Sequence, residues 1–326
     1  TYCSGAAARQ SIIDTYGWII EDAGVASPTT QVTSAVFGTE TSSTLNLTSF
    51  TAPEGGADGY VIYVNDTDSF TAPTDGDEPT ANLSWSSSGQ QAVYFGTSAS
   101  PDITVTDLNP ATTYYYKVYA YNDCSETETY ETTGLAASDT TAQGVLTISG
   151  LTGNNKVYDS TTAATATGTA TIVGVATGDD VILGGSTVFT FASANVGTGI
   201  TITTTGYTIS GADATKYTLT QPTLSGDISE KDLTVTGITG SDKVYDDTTA
   251  ASASGTFILN GVAAGDDVYL GGSPVFTFAS ANVGTGITIN TTGLTISGTD
   301  SGNYTLTQPT LSGDITAKEL TITGIT

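Results

Sequence analysis

The side chains in this chain that could do chemistry are mostly carboxylates, and one adjacent pair of them occurs twice. Asp179 and Asp180 are followed 87 residues later by Asp266 and Asp267. Paired carboxylates can act as the acid and nucleophile of a glycosidase, or they can supply oxygen ligands to Ca²⁺. A pair that recurs at a fixed spacing is more typical of a structural role. We therefore expect a solvated turn before a strand at each pair, with Ca²⁺ bound by Asp179, Asp180, Asp266 and Asp267 as the alternative.

Composition excludes several classes of function. The chain has no histidine, which excludes histidine-based acid–base pairs and triads. It also lacks a glycine-rich phosphate loop and a dinucleotide fingerprint that leads into a helix. We predict that it is not an enzyme and that it holds no cofactor other than Ca²⁺. The formal net charge of −26, with only seven Lys and Arg residues, would repel nucleic acid and anionic lipid.

The cysteines and the missing methionine bear on the compartment. Cys3 and Cys124 are the two cysteines of the chain, and neither belongs to a Cys-x-x-Cys pair. In an exported protein the simplest expectation is a disulfide between them. No methionine and no run of about 20 apolar residues is present. We predict an extracellular segment, with any signal peptide or membrane anchor outside these residues.

Residues 1–27 differ from the rest of the chain. Apolar residues between Ser11 and Ile20 follow helical spacing. The β-branched residues and Gly17 leave open two short strands with a turn at Asp14 to Gly17. Since such a short stretch cannot fold alone, we expect it to pack on the next domain or to be the tail of a preceding module.

Residues 28–140 alternate apolar and polar side chains as strands do. Turn clusters rich in Pro, Gly and Asp separate the runs. Several short strands in about 100 residues predict a β-sandwich. The clearest runs are 45–47, 60–64, 92–95, 103–105 and 114–121.

This segment resembles a fibronectin type III domain, above all at residues 105–122, which read VTDLNPATTYYYKVYAYN. The resemblance implies a corner in which a tyrosine hydroxyl caps backbone groups, with Leu108, Pro110, Thr113 and Tyr115 as its members. It also implies an extracellular spacer or adhesion module. The family's early core tryptophan has no clear counterpart; Leu47 is the candidate to replace it.

Aromatic side chains in this segment allow two interpretations. Trp85 and the tyrosines of 114–121 could stack on sugar rings if they were exposed. The alternative, which we favour, is that they fill the core and pair across strands. Tyr114 and Tyr116 would then share one face, while Tyr115, Tyr119 and Tyr121 point elsewhere.

A repeat with a period of 87 residues fills the second half of the chain. Residues 188–202 and 275–289 both read VFTFASANVGTGITI. The fixed period is typical of a modular array. It predicts a first repeat at 141–230, a second at 231–317 and, at 318–326, the first strand of a truncated third. We read the chain as a piece of a longer protein.

Each repeat is predicted to be a string of short strands with turns at glycine clusters. In the first copy the turns are placed at 184–185, 197–199 and 211–213. Substitutions between the copies, such as Ile182 to Tyr269 and Ile172-Val173 to Phe257-Ile258-Leu259, are expected to lie on the inside face. The identical block around Phe189 and Phe191 is the candidate for the central strand.

The repeats resemble the YDG family of bacterial surface-protein modules. The resemblance rests on KVYDSTT at 156–162 and KVYDDTT at 243–249, where the glycine of the motif is replaced by Ser160 and by Asp247. It also rests on ANVG at 194–197, SGAD at 210–213 and YTLTQP at 217–222. The family implies a large secreted bacterial protein, and the neighbouring fibronectin-like module is reminiscent of Bacteroidota adhesins. That phylum's O-glycosylation motif implies Thr140, Ser160 and Thr248 as candidate acceptors.

These observations predict an all-β chain of tandem β-sandwich modules, Ig-like or fibronectin-like, in an elongated array. The short links 229–232 and 316–319 should restrict bending, whereas 136–144 should flex more. We expect a stalk segment of a cell-surface adhesin or fibre protein. Its partner would be a surface glycan or protein, or other copies of itself. The alternatives are a filament subunit that exchanges the strand 320–325, and a sugar-binding accessory region of a secreted enzyme.

Overall fold

The computed structural model describes residues 6–19, 27–86, 88–123 and 128–323, and strands dominate them. Cys3 and Cys124 lie outside these residues, so the disulfide stays a prediction. Within the described ranges, no helix has the length and apolar character needed to cross a membrane. The described residues fall into two compact units. The first contains those within Thr1–Thr147, Ile172–Gly184 and Thr208–Thr220, and the second those within Ile148–Thr171, Gly185–Tyr207 and Gln221–Thr326.

A helix, α1, spans Ala6–Tyr16, which confirms helix rather than two short strands for this stretch. It ends before Gly17, which has a φ of +61° and donates its N–H to the carbonyl of Ile13 at 2.8 Å. Glycine adopts this left-handed conformation without steric cost and is a common end to a helix. The side chains of Tyr16, Trp18 and Ile19 are exposed.

The N-terminal domain, residues 28–140, is a sandwich of two antiparallel sheets. One sheet has the order β1-β2-β5; the other has the order β4-β3-β6-β7, with β8 also paired to β6. The predicted β-sandwich is therefore confirmed. The strands are β1 Thr33–Phe37, β2 Leu45–Thr51, β3 Gly59–Asn65, β4 Gln91–Gly96, β5 Ile103–Val105, β6 Thr113–Asp123, β7 Glu128–Tyr130 and β8 Leu135–Thr140.

Aromatic side chains fill the core of this domain on both faces of β6. Tyr114 and Tyr116 point into the main cluster between the sheets. Tyr119 and Tyr121 point to the opposite face, where they pack with Tyr130. This alternation is the period of two that a strand imposes. It confirms that the tyrosines are core and cross-strand residues.

Trp85 is buried in the main cluster together with Leu47. Its ring meets that of Tyr114 edge-on, with centroids 5.5 Å apart and an interplanar angle of 78°. The side chain therefore fills the core, and it offers no exposed face on which a sugar ring could stack.

The tyrosine corner exists, but the sequence analysis assigned it to the wrong residues. The hydroxyl of Tyr114, not Tyr115, accepts the backbone N–H of Asn109 at 2.9 Å. Thr112, not Thr113, donates its hydroxyl to the carbonyl of Pro110 at 2.9 Å. The corner is shifted by one residue because Tyr114 is fully buried on the core face of β6, whereas Tyr115 lies on the opposite face.

The first repeat, residues 141–230, has fewer and longer strands than predicted. Single strands cover Gly184-Gly185 and residues 197–199, where turns were expected, and one of these strands also runs through Gly206. Gly206, with a φ of +92°, shows how: a Cβ there would lie 2.0 Å from the carbonyl oxygen of Ser186. The strands are β9 Gly144–Gly153, β10 Lys156–Val157, β11 Ala163–Ala164, β12 Ala166–Val173, β13 Ile182–Phe191, β14 Gly197–Ser210, β15 Tyr217–Leu219 and β16 Thr223–Ser229, with a 3-10 turn at Ala214–Lys216.

The second repeat, residues 231–317, has counterparts of these elements in two sheets, except that an isolated bridge between Ala250 and Thr277 replaces β11. Their orders are β19-β17-β22 and β18-β23-β21-β20. The strands are β17 Lys231–Gly240, β18 Lys243–Val244, β19 Ala253–Asn260, β20 Tyr269–Phe278, β21 Gly284–Ser297, β22 Tyr304–Leu306 and β23 Thr310–Thr316, with a 3-10 turn at Ser301–Asn303.

Two predictions about the interior of the repeats are wrong. Strand β13, which carries Phe189 and Phe191, lies between β14 and the two-residue strand β11, so β14 and not β13 is the central strand of that sheet. Its counterpart β20 ends the sheet in the second repeat. Several residues that vary between the copies are exposed, including Ile182, Tyr269 and Ile258. These positions vary because solvent, not a core partner, surrounds them. A small buried cluster of the second repeat consists of Phe278, Ile289 and Ile315.

Candidate functional site

The junction between the two repeats is a single residue long. Strand β16 ends at Ser229 and strand β17 begins at Lys231, so only Glu230 lies between them. Both strands are paired: β16 with β10 in parallel, and β17 with β22 in parallel. Because the chain is bonded into a sheet on either side of Glu230, the link has little freedom to rotate.

Two tyrosines, one from each repeat, converge on one carboxylate at this junction. Tyr158 of the first repeat donates its hydroxyl to Oδ2 of Asp266 at 2.8 Å. Tyr304 of the second repeat donates to the same oxygen at 2.6 Å, and its own hydroxyl oxygen accepts the N–H of Ala263 at 2.9 Å. The two rings lie edge to face, with centroids 5.2 Å apart. Hydrogen bonds to a charged acceptor are the stronger kind.

Burial sets the electrostatics of this group. Burial, and then the hydrogen bond to Asp266, raise the pKa of Tyr158 well above its ordinary value. The same two causes raise the pKa of Tyr304. Both hydroxyls therefore stay protonated at physiological pH and remain donors to Asp266, so the group acts as a fixed hydrogen-bonded latch and not as an acid or base.

An apolar cluster beneath the latch is shared by both repeats. Its fully buried members are Tyr158, Phe191, Ile202 and Ile228 from the first repeat and Leu233 and Tyr304 from the second. Burying an aliphatic side chain of this size stabilises by about 2–3 kcal/mol. The interior at this end of the first repeat is thus completed by the second repeat.

A second polar contact reinforces the junction. Oδ1 of Asn303, in the second repeat, accepts the backbone N–H of Val196 in the first at 2.9 Å. Its Nδ2 reaches Oδ1 of Asn195 at 3.5 Å. Asn303 is buried, and a buried amide that satisfies a backbone donor is costly to lose. The contact therefore fixes the rotation of one repeat against the other.

The equivalent group in the first repeat is built on Asp179. Tyr217 donates its hydroxyl to Oδ2 of Asp179 at 2.5 Å and accepts the N–H of Ala176 at 3.0 Å. Lys216 forms ion pairs with Asp179 at 3.1 Å and with Asp213 at 2.9 Å. Lys216 occupies the position that Asn303 holds in the second repeat, so the two groups share the tyrosine and the aspartate but differ beside them.

The segment that leads into the first repeat is bonded along its length. Residues 135–140 form β8, which pairs with β6. Thr141 is buried and donates its hydroxyl to the carbonyl of Asn109 at 2.6 Å. Gly144 lies so close to Tyr217 that a Cβ would meet its ring at 2.6 Å. The segment 136–144, predicted to flex more, therefore consists of a strand followed by residues that contact both the N-terminal domain and Tyr217.

A lysine clamp closes the loop of the KVYD motif in each repeat. Lys156 donates to Oδ1 of Asp159 at 2.7 Å and to the carbonyls of Thr161 and Ala163 at 2.7 and 3.0 Å. Lys243 makes the same first two contacts with Asp246 and Thr248. Each ammonium also lies about 5.5 Å from a buried phenylalanine ring, Phe191 or Phe278. The lysine thus has a structural role: its ammonium group binds the loop and lies near an aromatic ring at the edge of the core.

The four aspartates predicted as Ca²⁺ ligands have protein partners instead. Asp179 and Asp266 accept the tyrosine hydroxyls described above. Asp180 accepts the N–H of Ala212, and Asp267 accepts the N–H of Thr299, each at 3.2 Å. The residues that the structure describes contain no group of three or more carboxylates arranged for a metal ion. Calcium binding by Asp179, Asp180, Asp266 and Asp267 stays a prediction.

The candidate glycosylation residues differ in their surroundings. Thr140, on β8, is exposed and shares a hydrogen bond with the hydroxyl of Thr113 at 2.8 Å. Ser160 is half-buried. The hydroxyl of Thr248 donates to Asp246 at 2.9 Å within the lysine clamp. Glycosylation of Thr140, Ser160 and Thr248 stays a prediction.

Sequence reasoning missed the latch and the clamp, although one part of the latch left a trace in the repeat. A tyrosine follows each aspartate pair at the same distance, as Tyr217 follows Asp179 and Tyr304 follows Asp266. A constant spacing between two polar residues in both copies could have suggested a contact. The bond from Tyr158 to Asp266 has no such trace, because it joins residues 108 apart in different repeats.

The family comparison gives two kinds of module. A family model described as the YDG domain matches residues 140–224 and 229–311, which together exceed half of the chain. A model described as the fibronectin type III domain matches residues 27–133. No protein with curated function matches the chain.

Solved structures give weaker likenesses. The fibronectin type III domain of human fibronectin type III domain containing protein 3 is 23% identical, over 37% of this chain and 93% of that one, with a TM-score of 0.24. The FN1–FN3 domains of chicken CNTN1 are 11% identical, over 88% and 99% of the two chains, with a TM-score of 0.23. The three N-terminal domains of the bacteriophage RB49 Highly Immunogenic Outer Capsid protein share 11% identity over the same fractions, with a TM-score of 0.22.

Proposed function

Since this chain belongs to the YDG family through its two repeats and carries a fibronectin type III domain ahead of them, we propose that it is a spacer segment of a large extracellular bacterial surface protein. Its role is to hold a binding region away from the cell surface, as the stalk of an adhesin or surface fibre does. The proposal assigns no catalytic reaction to the chain. The partner of the presented region would be a surface glycan or protein.

One observation supports the proposal above the others: the junction between the repeats is built like the interior of a domain. A single residue links the two strands, and the apolar cluster is shared across the junction. Modules joined by a flexible linker can swivel independently. Modules that share a core can swivel only by exposing it, and exposing a buried leucine or tyrosine costs about 2–3 kcal/mol for each side chain. A spacer that must transmit position needs this property.

Charge and chemistry support an extracellular setting. The net charge of −26 favours solubility and discourages association with nucleic acid. Folded β modules that share a core also resist proteolysis, because cleavage requires local opening and the shared core opposes it. Solubility and resistance to proteolysis are both useful at a bacterial surface. We include in the proposal a surface protein of the Bacteroidota kind, on account of the arrangement of the modules.

Small-angle scattering of the purified chain tests the spacer role. A compact globule of 326 residues has a radius of gyration of about 20 Å. We expect a clearly larger radius with the scattering of a stiff particle. Four residues, Gly-Ser-Gly-Ser, inserted after Glu230 should add the signature of a hinged chain. The same insertion after Gly55, in an exposed turn of the N-terminal domain, is the matched control and should leave the curve unchanged.

The result that would overturn the proposal is a compact particle, or a curve that already shows a hinge without the insertion. Sizing of the chain with and without residues 318–326 separates the filament alternative, since only a filament subunit would lose self-association on truncation. The sugar-binding alternative lost its main support when Trp85 was found in the core.

A further inference from the structure

The second repeat carries residues of the same types as those that it covers on the first repeat. In the first repeat these include Tyr158, Val196 and Ile228, and each has a counterpart of the same type 87 residues later. We call the counterpart surface the distal face. Its members are Tyr245, Phe278, Val283, Ile289 and Ile315.

The distal face is more open than its counterpart. Tyr158 is 4% exposed beneath the second repeat, whereas Tyr245 is half-buried. Val196 is partly buried in the shared cluster, but Val283 is 54% exposed. Phe278, Ile289 and Ile315 form the floor of the face, and these three side chains are buried by other residues of the second repeat. The face therefore combines an apolar floor with a rim that is partly open to solvent.

Polar groups on this face also lack the acceptor that the first repeat uses. The hydroxyl of Tyr158 bonds to Asp266 of the next repeat, whereas that of Tyr245 bonds at 3.1 Å to its neighbour Asp247. Tyr245 thus bonds to a carboxylate of its own loop, whereas its counterpart Tyr158 bonds across the junction between the repeats. A second module with an aspartate in the place of Asp266 would restore the longer contact.

We propose that the distal face is a docking surface for a further YDG module joined in tandem, which repeats the latch and the shared core of the first junction. This inference rests on the proposed spacer function and gives that function its repeating interface. The module that fits must supply counterparts of Leu233, Asp266, Asn303 and Tyr304, because these four residues cover the equivalent face of the first repeat.

The connecting segment agrees with this occupant. Leu233, in the first strand of the second repeat, lies five residues after Ile228 and is completely buried in the shared cluster. Leu320 follows Ile315 at the same spacing but is 91% exposed. After links of equal length, the leucine is thus buried in the shared cluster at the first junction and open to solvent at the second, among the residues that the structure describes.

The test is an extended chain in which a copy of residues 231–317 is inserted between Ala317 and Lys318. The inserted copy carries Phe at the position that copies Tyr245, so that the reactive peptide reports on Tyr245 alone. Nitration of tyrosines by tetranitromethane, followed by mass spectrometry, measures accessibility in the parent and extended chains. We expect the rate at Tyr245 to fall in the extended chain to the rate of Tyr158, while that of exposed Tyr16 is unchanged.

A second variant tests the chemistry of the contact. An Asn in place of the inserted copy of Asp266 should return Tyr245 toward its parent rate, because the amide is a weaker acceptor for the hydroxyl than the carboxylate. Circular dichroism checks that this inserted module remains folded. If the variant module is unfolded, Tyr245→Phe in the unmodified extended chain replaces it, and this change should lower the urea midpoint there but not in the parent.

Three outcomes would overturn the inference. They are equal reactivity of Tyr245 in both chains, an inserted copy that does not fold, and a parent chain in which Tyr245 becomes protected as concentration rises. The last would make the face a surface for self-association. A stiff, elongated scattering particle together with a reactive Tyr245 would reject the docking surface and leave the spacer function standing.

Discussion

Two residues with unusual backbone conformations explain the glycine of the YDG motif. Ser160 and Asp247 replace it, and their φ angles are +61° and +64°. Only glycine adopts this left-handed conformation without steric cost, although short polar residues tolerate it better than others do. The motif thus records a backbone requirement of the loop that the lysine clamp closes. A β-branched residue at either position would strain that loop.

The tyrosine corner gives a prediction that separates two adjacent residues. Tyr114→Phe should lower the free energy of unfolding of the N-terminal domain by about 0.5–1.5 kcal/mol, because the backbone N–H of Asn109 loses its acceptor. Tyr115→Phe, at the position that the sequence suggested, should change it by less than about 0.5 kcal/mol. Urea unfolding followed by tryptophan fluorescence measures both, since Trp85 packs on Tyr114. Equal losses from the two variants would contradict the assignment.

At the residue scale the sequence indicated that a tyrosine corner exists near residue 110, but it could not show which tyrosine forms it. Three tyrosines follow one another at 114–116, and a shift of one residue moves every side chain of a strand to its other face. Only the pairing of β6 with β3 and β8 decides which tyrosine faces the core. Likewise, no local pattern could reveal that Tyr158 bonds to Asp266, since that contact depends on how two repeats meet.

At the scale of elements, the lysine clamp holds together strands too short to be stable alone. Strand β18 contains only Lys243 and Val244, and β10 only Lys156 and Val157. Each forms a two-residue parallel pair with the last strand of its repeat. The ammonium of Lys243 adds bonds to Asp246 and to the carbonyl of Thr248, which tie the following loop to the strand.

The clamp predicts a loss of stability in acid. The hydrogen bond from Lys243, followed by those from Thr248, lowers the pKa of Asp246 from 3.8 to about 2. A carboxyl whose pKa is lower in the folded state stabilises the protein above its unfolded pKa, and this contribution disappears as pH falls through the folded value. Asp246→Asn should therefore lower the urea midpoint of the second repeat at pH 5, and the difference from the parent should shrink between pH 4 and pH 2.

The matched control for this prediction is Asp68→Asn, which changes an exposed carboxylate of the N-terminal domain. Because Asp68 lies in another domain, we expect this substitution to leave the urea midpoint of the second repeat unchanged. If the difference caused by Asp246→Asn stayed constant down to pH 2, the ion pair would not be the source of the stability.

Long strands in the repeats show what glycine patterns could and could not tell. The sequence predicted nearly every strand of the first repeat, because alternation of Thr with Ile or Leu is a strong local pattern. It divided β13 and β14 at their glycines, which serve as points of close backbone approach inside a strand. A glycine at a turn and a glycine at such an approach look alike until the partner strand is known.

At the scale of the whole molecule, the repeat and the module are not the same unit of packing. The sequence defines a repeat of 87 residues, and the natural expectation is one closed core for each. The structure instead joins Leu233 and Tyr304 of the second repeat to the interior of the first. The energetic unit therefore includes the end of one repeat and the beginning of the next, as in other arrays stabilised by nearest-neighbour interfaces.

Two leucines at the same position of the repeat test this coupling. Leu233→Ala should lower the free energy of unfolding by about 2–5 kcal/mol, because it leaves a cavity in the shared cluster. Leu320→Ala removes the same atoms from an exposed site and should cost less than about 0.5 kcal/mol. Hydrogen exchange resolved by segment measures where stability is lost. We expect faster exchange in β16 of the first repeat as well as in β17 of the second.

Exchange that increases only in the second repeat would mean that the two repeats unfold independently and that the shared cluster carries little energy. Faster exchange in both repeats would mean that the shared cluster couples their unfolding. A disturbance in the second repeat is then felt in the first, although Leu233 belongs to only one of them. Such coupling makes the junction costly to bend, since bending would separate the same side chains that the substitution removes.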